Sequence, residues 1–358
     1  MNLMTASHQW AVRPADQRFQ TLGELAASVQ GRRLRSRSAD VQVARLSVAL
    51  QDGHIAVNSQ IAPSEPTHWA FTQLAGAVRA PASYLRTLPP ELVVENLNYG
   101  LKHNAVDPDR KFLTVANEDG LATLQAVTST TYGRIWDADC VAAVQRIVER
   151  SGGKFHNPLA YAHGFAGPTV PSGLYGSDHD VFMFLIDGGS RLEIGPRAKL
   201  NRGFICWNSE TGAKTFGLMT FLFNECCGNH IIYGATDINQ LIVRHTSGGP
   251  ARFDNEAMPV LEAYMNASAR PEELVIRRAQ DKLLPADEAD LAVYVAPAKF
   301  TKTELKESIA AAVREEGECK TLWQLVQGGT AYARGFDFID ARVDLEKRAS
   351  GLLNLVAE

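Results

Sequence analysis

Several things are missing from this chain, and each absence narrows what it can be. It has no apolar run long enough to cross a bilayer: "FMFLI" and "FGLMTFLF" stop at Asp187 and Asn224, far short of the ~20 residues a spanning helix needs. The opening "MNLMTASHQW" has neither the basic start nor the apolar stretch of a secretory signal. These features lead us to expect a cytoplasmic protein without a membrane partner. Cysteine is scarce and odd in number, with Cys140, Cys206, Cys226, Cys227 and Cys319 spread along the chain, which excludes a disulfide framework and fits reduced thiols. Positive charge is not in excess: 36 Lys and Arg stand against 40 Asp and Glu, a formal net charge of -4. A protein coated in cations is excluded, so any nucleic-acid contact must be local. Finally, G-x-S-x-G, H-E-x-x-H, G-x-x-x-x-G-K-[ST] and a strand-linked G-x-G-x-x-G are all lacking. No catalytic residue, metal ligand or cofactor is therefore assigned.

What is present is an ordinary globular composition, 45% hydrophobic and 21% charged over 358 residues, long enough for two modules or one large insertion-bearing domain. Thr21 precedes the helical pattern of Leu22, Leu25 and Val29. From Val41 the period switches to alternation, with Asp52-Gly53 marking a hairpin. Helical spacing returns around Trp69, Leu74 and Val78, punctuated by Pro81, Pro89 and Pro90. Strands flank Asp119-Gly120, and "DADCVAAVQRIVERSGG" is an amphipathic helix stopped by Gly152-Gly153. Residues 154 to 176 are rich in glycine and proline, as in a surface loop. "DHDVFMFLID" and "FICWNS" have the continuous apolar content of strands buried on both faces, and Thr215 to Cys226 is expected to be helical. After Gly249 the chain reads as a string of helices, one opened by Thr301 and Glu304 in capping-box spacing and closed by Gly317.

The fold expected is α+β, with a mixed, largely antiparallel sheet built from the Val41, Lys111, Val181, Phe204 and Leu241 regions. Residues 1–40 form a basic N-terminal arm and 41–250 a core domain with a helical insert near 66–103. Residues 251–358 form a helical C-terminal subdomain.

Four blocks carry a resemblance. "NRGFICWNSETGAKTFGLMTFLFNECCGN" followed by "RHT", together with Leu74 to Leu101, Ala126 to Val144 and Thr321 to Leu353, resembles the phage/plasmid-like protein family, whose central module is a domain of unknown function. The resemblance implies an accessory protein of a phage, plasmid or integrated element and carries no reaction with it. The family usually has an arginine where this chain has Asn224, which removes one cation from that segment.

The hexapeptide "WNSETG" admits two readings. Its polar side chains and free amides could hold an anion at a strand-to-helix turn, with Lys214 adding charge. Alternatively Asn208 or Ser209 caps a following helix and Gly212 relieves the turn. Glu210 speaks against phosphate and for a metal or a partner such as Arg202 or Arg244. The order C-C-x-x-H of Cys226, Cys227 and His230, with Cys206 and His245 nearby, suggests zinc, but neighbouring helical cysteines point about 100° apart; cysteine as a core residue is the alternative. Asp178 and Asp180, placed on one face of a strand start, could hold Mg²⁺ or be solvated. Arg202, Arg244, His245 and Arg252 could line one basic rim, or Arg244 could pair with Glu210 or Asp254. The densest cluster is "GRRLRSRS", where Arg32, Arg33, Arg35 and Arg37 could engage phosphates or guard an edge strand.

The function expected is non-catalytic handling of nucleic acid, single-stranded because Trp207, Tyr233 and Phe253 offer stacking surfaces. The alternatives are a metal-dependent or thiol enzyme centred on Glu210, Cys226, His230 and His245, or a protein that blocks a host factor. Homo-oligomerisation is left open.

Overall fold

Two sheets organise the chain. The computed structural model describes residues 17–118, 120–157, 173–189, 191–195, 198–224, 229–231, 240–266, 270–336 and 339–357. The smaller sheet contains β2 (Ser36–Gln42), β3 (Ser47–Gln51), β4 (His54–Asn58), β5 (Ser64–Pro66), β6 (Asp109–Val115) and β7 (Ala122–Thr128), in the order β2-β6-β7-β5-β4-β3. All its pairings are antiparallel except β5 with β7. The β3–β4 hairpin closes at Asp52 and Gly53, both at positive φ (51° and 83°), as a two-residue turn matched to strand twist requires.

The larger sheet is antiparallel throughout. Its path is β1 (Arg18–Phe19), β9 (Leu174–Gly176), β10 (Val181–Asp187), β12 (Ala198–Asn208), β13 (Phe216–Asn224) and β14 (Asn229–Ile231). Strand β8 (Phe155–His156) joins β10, β11 (Leu192–Gly195) joins β12, and β15 (Gln240–Val243) joins β13. The sheet expected to be single is thus two, with the Val41 and Lys111 regions in one and the Val181, Phe204 and Leu241 regions in the other. The helix expected over Thr215 to Cys226 is strand β13 through Asn224. Cys226 and Cys227, like Tyr233 and most of the 154–176 segment, lie outside the described residues.

Helices cover these sheets. Helix α1 (Leu22–Arg35) opens with the expected Thr21 cap, a reciprocal box in which Thr21 Oγ1 accepts from Glu24 N and the Glu24 carboxylate accepts from Thr21 N. Helices α2 (His68–Ala77), α3 (Ala82–Leu85) and α4 (Pro90–His103) form the insert, whose Phe71, Leu74, Val93 and Leu97 pack with Val41, Phe112 and Val127 of the smaller sheet. Helices α5 (Asp137–Arg150) and α6 (Gly249–Asn266) join α1 on one face of the larger sheet; Leu25, Val29, Val141, Ile147, Phe253 and Leu261 meet Met183, Phe204, Cys206, Phe216 and Leu218 there. Phe182, Phe184, Ile205, Met219, Phe221 and Phe223 cluster on the opposite face.

Two boundaries therefore differ from expectation. Residues 22–42 are no appended arm, because α1 buries Leu25 and Val29 in the larger sheet's core and β2 is hydrogen-bonded to β6. Helix α6 likewise belongs to that core. The remaining helices α7 (Arg270–Asp281), α8 (Glu288–Tyr294), α9 (Lys302–Glu316) and α10 (Leu322–Ala333) form a separate apolar cluster with Ile194, Leu200 and Leu222 at the far end of the larger sheet, and α11 (Ile339–Gly351) packs against α10. Helix α9 has the expected Thr301–Glu304 box and ends at Gly317 with φ 88°. Among the described residues no helix is long and apolar enough to cross a membrane.

Candidate functional site

The hexapeptide "WNSETG" turns the chain between β12 and β13. Gly212, at φ 86°, adopts a backbone conformation that favours glycine. The turn is closed by Gly212 N donating to Ser209 O (3.2 Å) and Ala213 N donating to Ser209 Oγ (2.9 Å). Its three central carbonyls, those of Ser209, Glu210 and Thr211, are taken by surrounding elements. Tyr132 Oη donates to Ser209 O (3.1 Å), Arg134 Nη1 to Glu210 O, and both Trp69 Nε1 (3.1 Å) and Gln73 Nε2 (2.8 Å) to Thr211 O. Since Trp69 and Gln73 belong to α2, the turn fastens the insert of one sheet to the hairpin of the other. The Ser209, Glu210 and Thr211 carbonyls thus serve as acceptors for neighbouring side chains, and the Gly212 and Ala213 amides close the turn on Ser209.

A buried charge cluster sits beneath this turn. Asn208, Ser209, Glu210 and Thr211 are at most 1% exposed, and Asp137 is completely buried. Glu210 Oε1 accepts from Arg32 Nε (3.1 Å), and Glu210 Oε2 accepts from the backbone N of Asp137 (3.1 Å). Arg32 Nη2 donates to Asp137 Oδ2 (2.8 Å) and its Nη1 to Ser177 O. Asn208 Nδ2 completes the set by donating to Asp137 Oδ1 (2.8 Å) and Ile135 O (2.9 Å). The position before α5 is Trp136, which has no capping side chain, so Glu210 supplies the acceptor from another part of the chain. Burial and the nearby Glu210 carboxylate push the Asp137 carboxyl up to about 7, against the pull of Arg32 and Asn208. Glu210 thus pairs with Arg32, not with Arg202 or Arg244 as the sequence suggested.

The loop before α5 brings the aromatic half of the site. Gly133 passes so close to β15's continuation that a Cβ there would lie 1.9 Å from Thr246 O, and its N donates to His245 O (3.1 Å). That approach stacks Tyr132 on His245, with centroids 5.0 Å apart and planes 8° from parallel. His245 Nδ1 accepts from Ile135 N (3.3 Å). Burial drives the imidazole down to about 4, opposed by the Gly133 and Lys214 backbone, so the ring is neutral at physiological pH. Arg134 lies near two rings, 5.3 Å from the Tyr132 centroid and 5.6 Å from that of Trp136, while Arg33 stacks on Trp136 at 3.6 Å.

The expected basic rim does not assemble. Arg202 is 3% exposed and sits 4.2 Å over the Tyr264 ring, with Nη2 donating to Tyr264 O (2.9 Å). It lies six residues up β12 from Asn208, about 20 Å at the usual rise per strand residue. Arg252 is exposed and joined to Glu256 one helical turn on. Lys214 Nζ rests 5.3 Å above Phe182, and Arg244 alone of the rim is simply exposed. Trp207 packs across Gly217, and Phe253 packs edge-on to Phe216 in the core (centroids 4.8 Å apart), so neither offers a stacking face. Of the "GRRLRSRS" arginines, which run through a helix end and not a single strand, Arg32 is consumed by the buried cluster. Arg33 is half-buried, whereas Arg35 and Arg37 are exposed.

Of the two enzyme readings, that centred on Glu210, Cys226, His230 and His245 falls partly on Cys226 and the His230 side chain, which lie outside the described residues; the paired-aspartate reading falls within them. Asp180 is buried and accepts from Ser177 Oγ (2.7 Å), whereas Asp178 is exposed beside His179 Nδ1 (2.7 Å). Both acids precede β10, which starts at Val181, and His179 lies against each, with Nδ1 2.7 Å from Asp178 Oδ1 and Nε2 3.9 Å from Asp180 Oδ2. Among the described residues no three His, Cys, Asp or Glu side chains are arranged to hold a metal. Cys140 and Cys206 are core residues whose thiols burial pushes well up, which removes thiolate character.

Sequence reasoning missed Arg134 and Asp137. Their signal was local: two charges flanking apolar Ile135-Trp136, directly before an amphipathic helix, where a solvated loop has no need of bulky neighbours. No family model, no curated protein and no solved structure matches this chain.

Proposed function

We propose that this chain is a non-catalytic nucleic-acid-handling protein of a mobile element, which engages single strands through phosphate contacts. The observation that carries the reading is the continuous exposed strip at the end of α1 and the start of edge strand β2. There Arg35 and Arg37 are exposed, Arg33 stacks on Trp136, and Leu34 is 77% exposed. Arg35 makes only a local bond from Nε to Gly31 O, which leaves its other donors for phosphate oxygens. Fixing these arginines on a packed helix and a paired strand reduces the ordering cost of binding. Arg244 is a further exposed cation, while Arg32, Arg202, Arg252 and Trp207 have other roles and drop out of the interface.

Fluorescence anisotropy of a labelled single-stranded oligonucleotide against salt tests this. Wild type should bind with a log–log salt slope, and Arg33→Ala/Arg35→Ala/Arg37→Ala should reduce that slope by about 2, at ~0.7 per phosphate contact. A wild-type titration without salt dependence, or a triple variant that binds unchanged, would remove the reading.

A further inference from the structure

Arg134 is the most unusual cation in the molecule. Its side chain is buried, 8% exposed as a residue, yet only Nη1 has a partner, the Glu210 carbonyl; Nε and Nη2 are buried without any acceptor. Buried donors of this kind cost free energy until something accepts from them. The nearby carboxylates do not serve. Glu210 accepts from Arg32 and the Asp137 amide, Asp137 accepts from Arg32 and Asn208, and none of their oxygens accepts from Arg134. Arg134 and Arg33 also stand against one indole, 5.6 Å and 3.6 Å from the Trp136 centroid, so two positive charges share a ring. Burial and the neighbouring Arg33 both push the Arg134 guanidinium down, while Tyr132, Glu210 and Asp137 push it up.

We propose that Arg134, with Arg33 and the half-buried Trp136, forms an oxyanion-binding subsite that takes a phosphate group. A guanidinium offers Nε–H and Nη2–H as a parallel pair matched to two phosphate oxygens, and these are the two donors Arg134 has spare. Arg33 supplies the second charge from the more exposed side. The Trp136 indole, which both guanidinium groups approach, lowers the local dielectric and strengthens both contacts. Asp139, exposed in the first turn of α5, opposes binding from the Arg33 side, and the Glu210 and Asp137 carboxyls oppose it from the Arg134 side. The subsite shares Arg33 with the nucleic-acid reading, but Arg134 belongs to it alone and Arg35 and Arg37 take no part in it.

The test is a titration of the full chain with inorganic phosphate at constant ionic strength, followed by tryptophan fluorescence and by phosphorus NMR line width. A second arm uses a nucleoside monophosphate. Expected is saturable binding with a Kd of about 1 mM or tighter, weakened tenfold or more in Arg134→Gln. Arg134→Lys, which keeps the charge without the paired donors, should weaken it about tenfold. Tighter binding of the monophosphate would identify an ester as the natural source; equal binding would identify the phosphate group alone. Arg35→Ala/Arg37→Ala should leave this titration unchanged while weakening oligonucleotide binding, so that either proposal can fail without the other. No saturable phosphate binding by wild type, or unchanged binding by folded Arg134→Lys or Arg134→Gln, overturns the proposal.

Discussion

Arg32 balances two carboxylates that water does not reach. Its side chain is 14% exposed, while those of Asp137 and Glu210 are 0% and 2% exposed, so removing the guanidinium leaves the acidic pair in the interior without its cation. Breaking a buried pair from one side typically costs about 3–5 kcal/mol. Arg32→Ala is therefore expected to lose that much in chemical denaturation, and Arg32→Met with Glu210→Gln should lose less than the sum of the single changes. Additive losses would show that the three groups do not act as a unit. The cluster was only half legible in the sequence. Glu210 stood out as a carboxylate in a polar turn, and Arg32 as one of four close arginines, but 178 positions separate them. Nothing local distinguishes the arginine that turns inward from those that stay in solvent. The difference arises only when α1 packs on α5: Leu25 and Val29 are buried, and Arg32, three residues beyond Val29, continues their face.

At the scale of elements, periodicity succeeded where one face meets solvent and failed where neither does. The capped helices α1 and α9, the Asp52-Gly53 hairpin and the amphipathic α5 all lay where the sequence placed them, because each combines a one-sided apolar pattern with a local start or stop signal. Strand β13 was read as a helix for the converse reason. Phe216 and Leu218 enter the helix-covered core while Met219, Phe221 and Phe223 enter the opposite cluster, so "FGLMTFLF" shows neither a period of 2 nor one of 3.6. One residue did mark it as a strand. Gly217 is the register partner of Trp207, and a Cβ at 217 would lie 2.0 Å from the indole Cζ2, an aromatic ring covering a cross-strand glycine. Gly217→Ala is expected to cost roughly 1–3 kcal/mol through overpacking, measured as a shift in denaturant midpoint. Trp207→Leu should make the same substitution nearly neutral; an equal penalty in both backgrounds would contradict the packing shown here.

At the scale of the whole molecule, the turn between β12 and β13 ties two sheets, α1 and α5 through groups that titrate in opposite senses, and this sets how stability depends on pH. Asp137 is raised from 3.8 to about 7. The folded chain therefore binds more protons there than the unfolded chain, and this contribution is full below about pH 4 and is lost as pH rises toward 7. His245 is lowered from 6.5 to about 4. The unfolded chain binds more protons there, so its contribution is full above about pH 6.5 and is lost as pH falls toward 4. In wild type the two slopes oppose each other across nearly the same window and largely cancel. Substituting either residue should expose the other. Relative to wild type, Asp137→Asn is expected to gain stability as pH rises from about 4 to 7, and His245→Gln to lose it as pH rises from about 4 to 6.5. Denaturant midpoints measured every half unit of pH give both differences directly. Differences of the same sign, or none, would mean that these groups are not held neutral by the junction between the sheets. Measured without any added anion, the two slopes report on the junction itself.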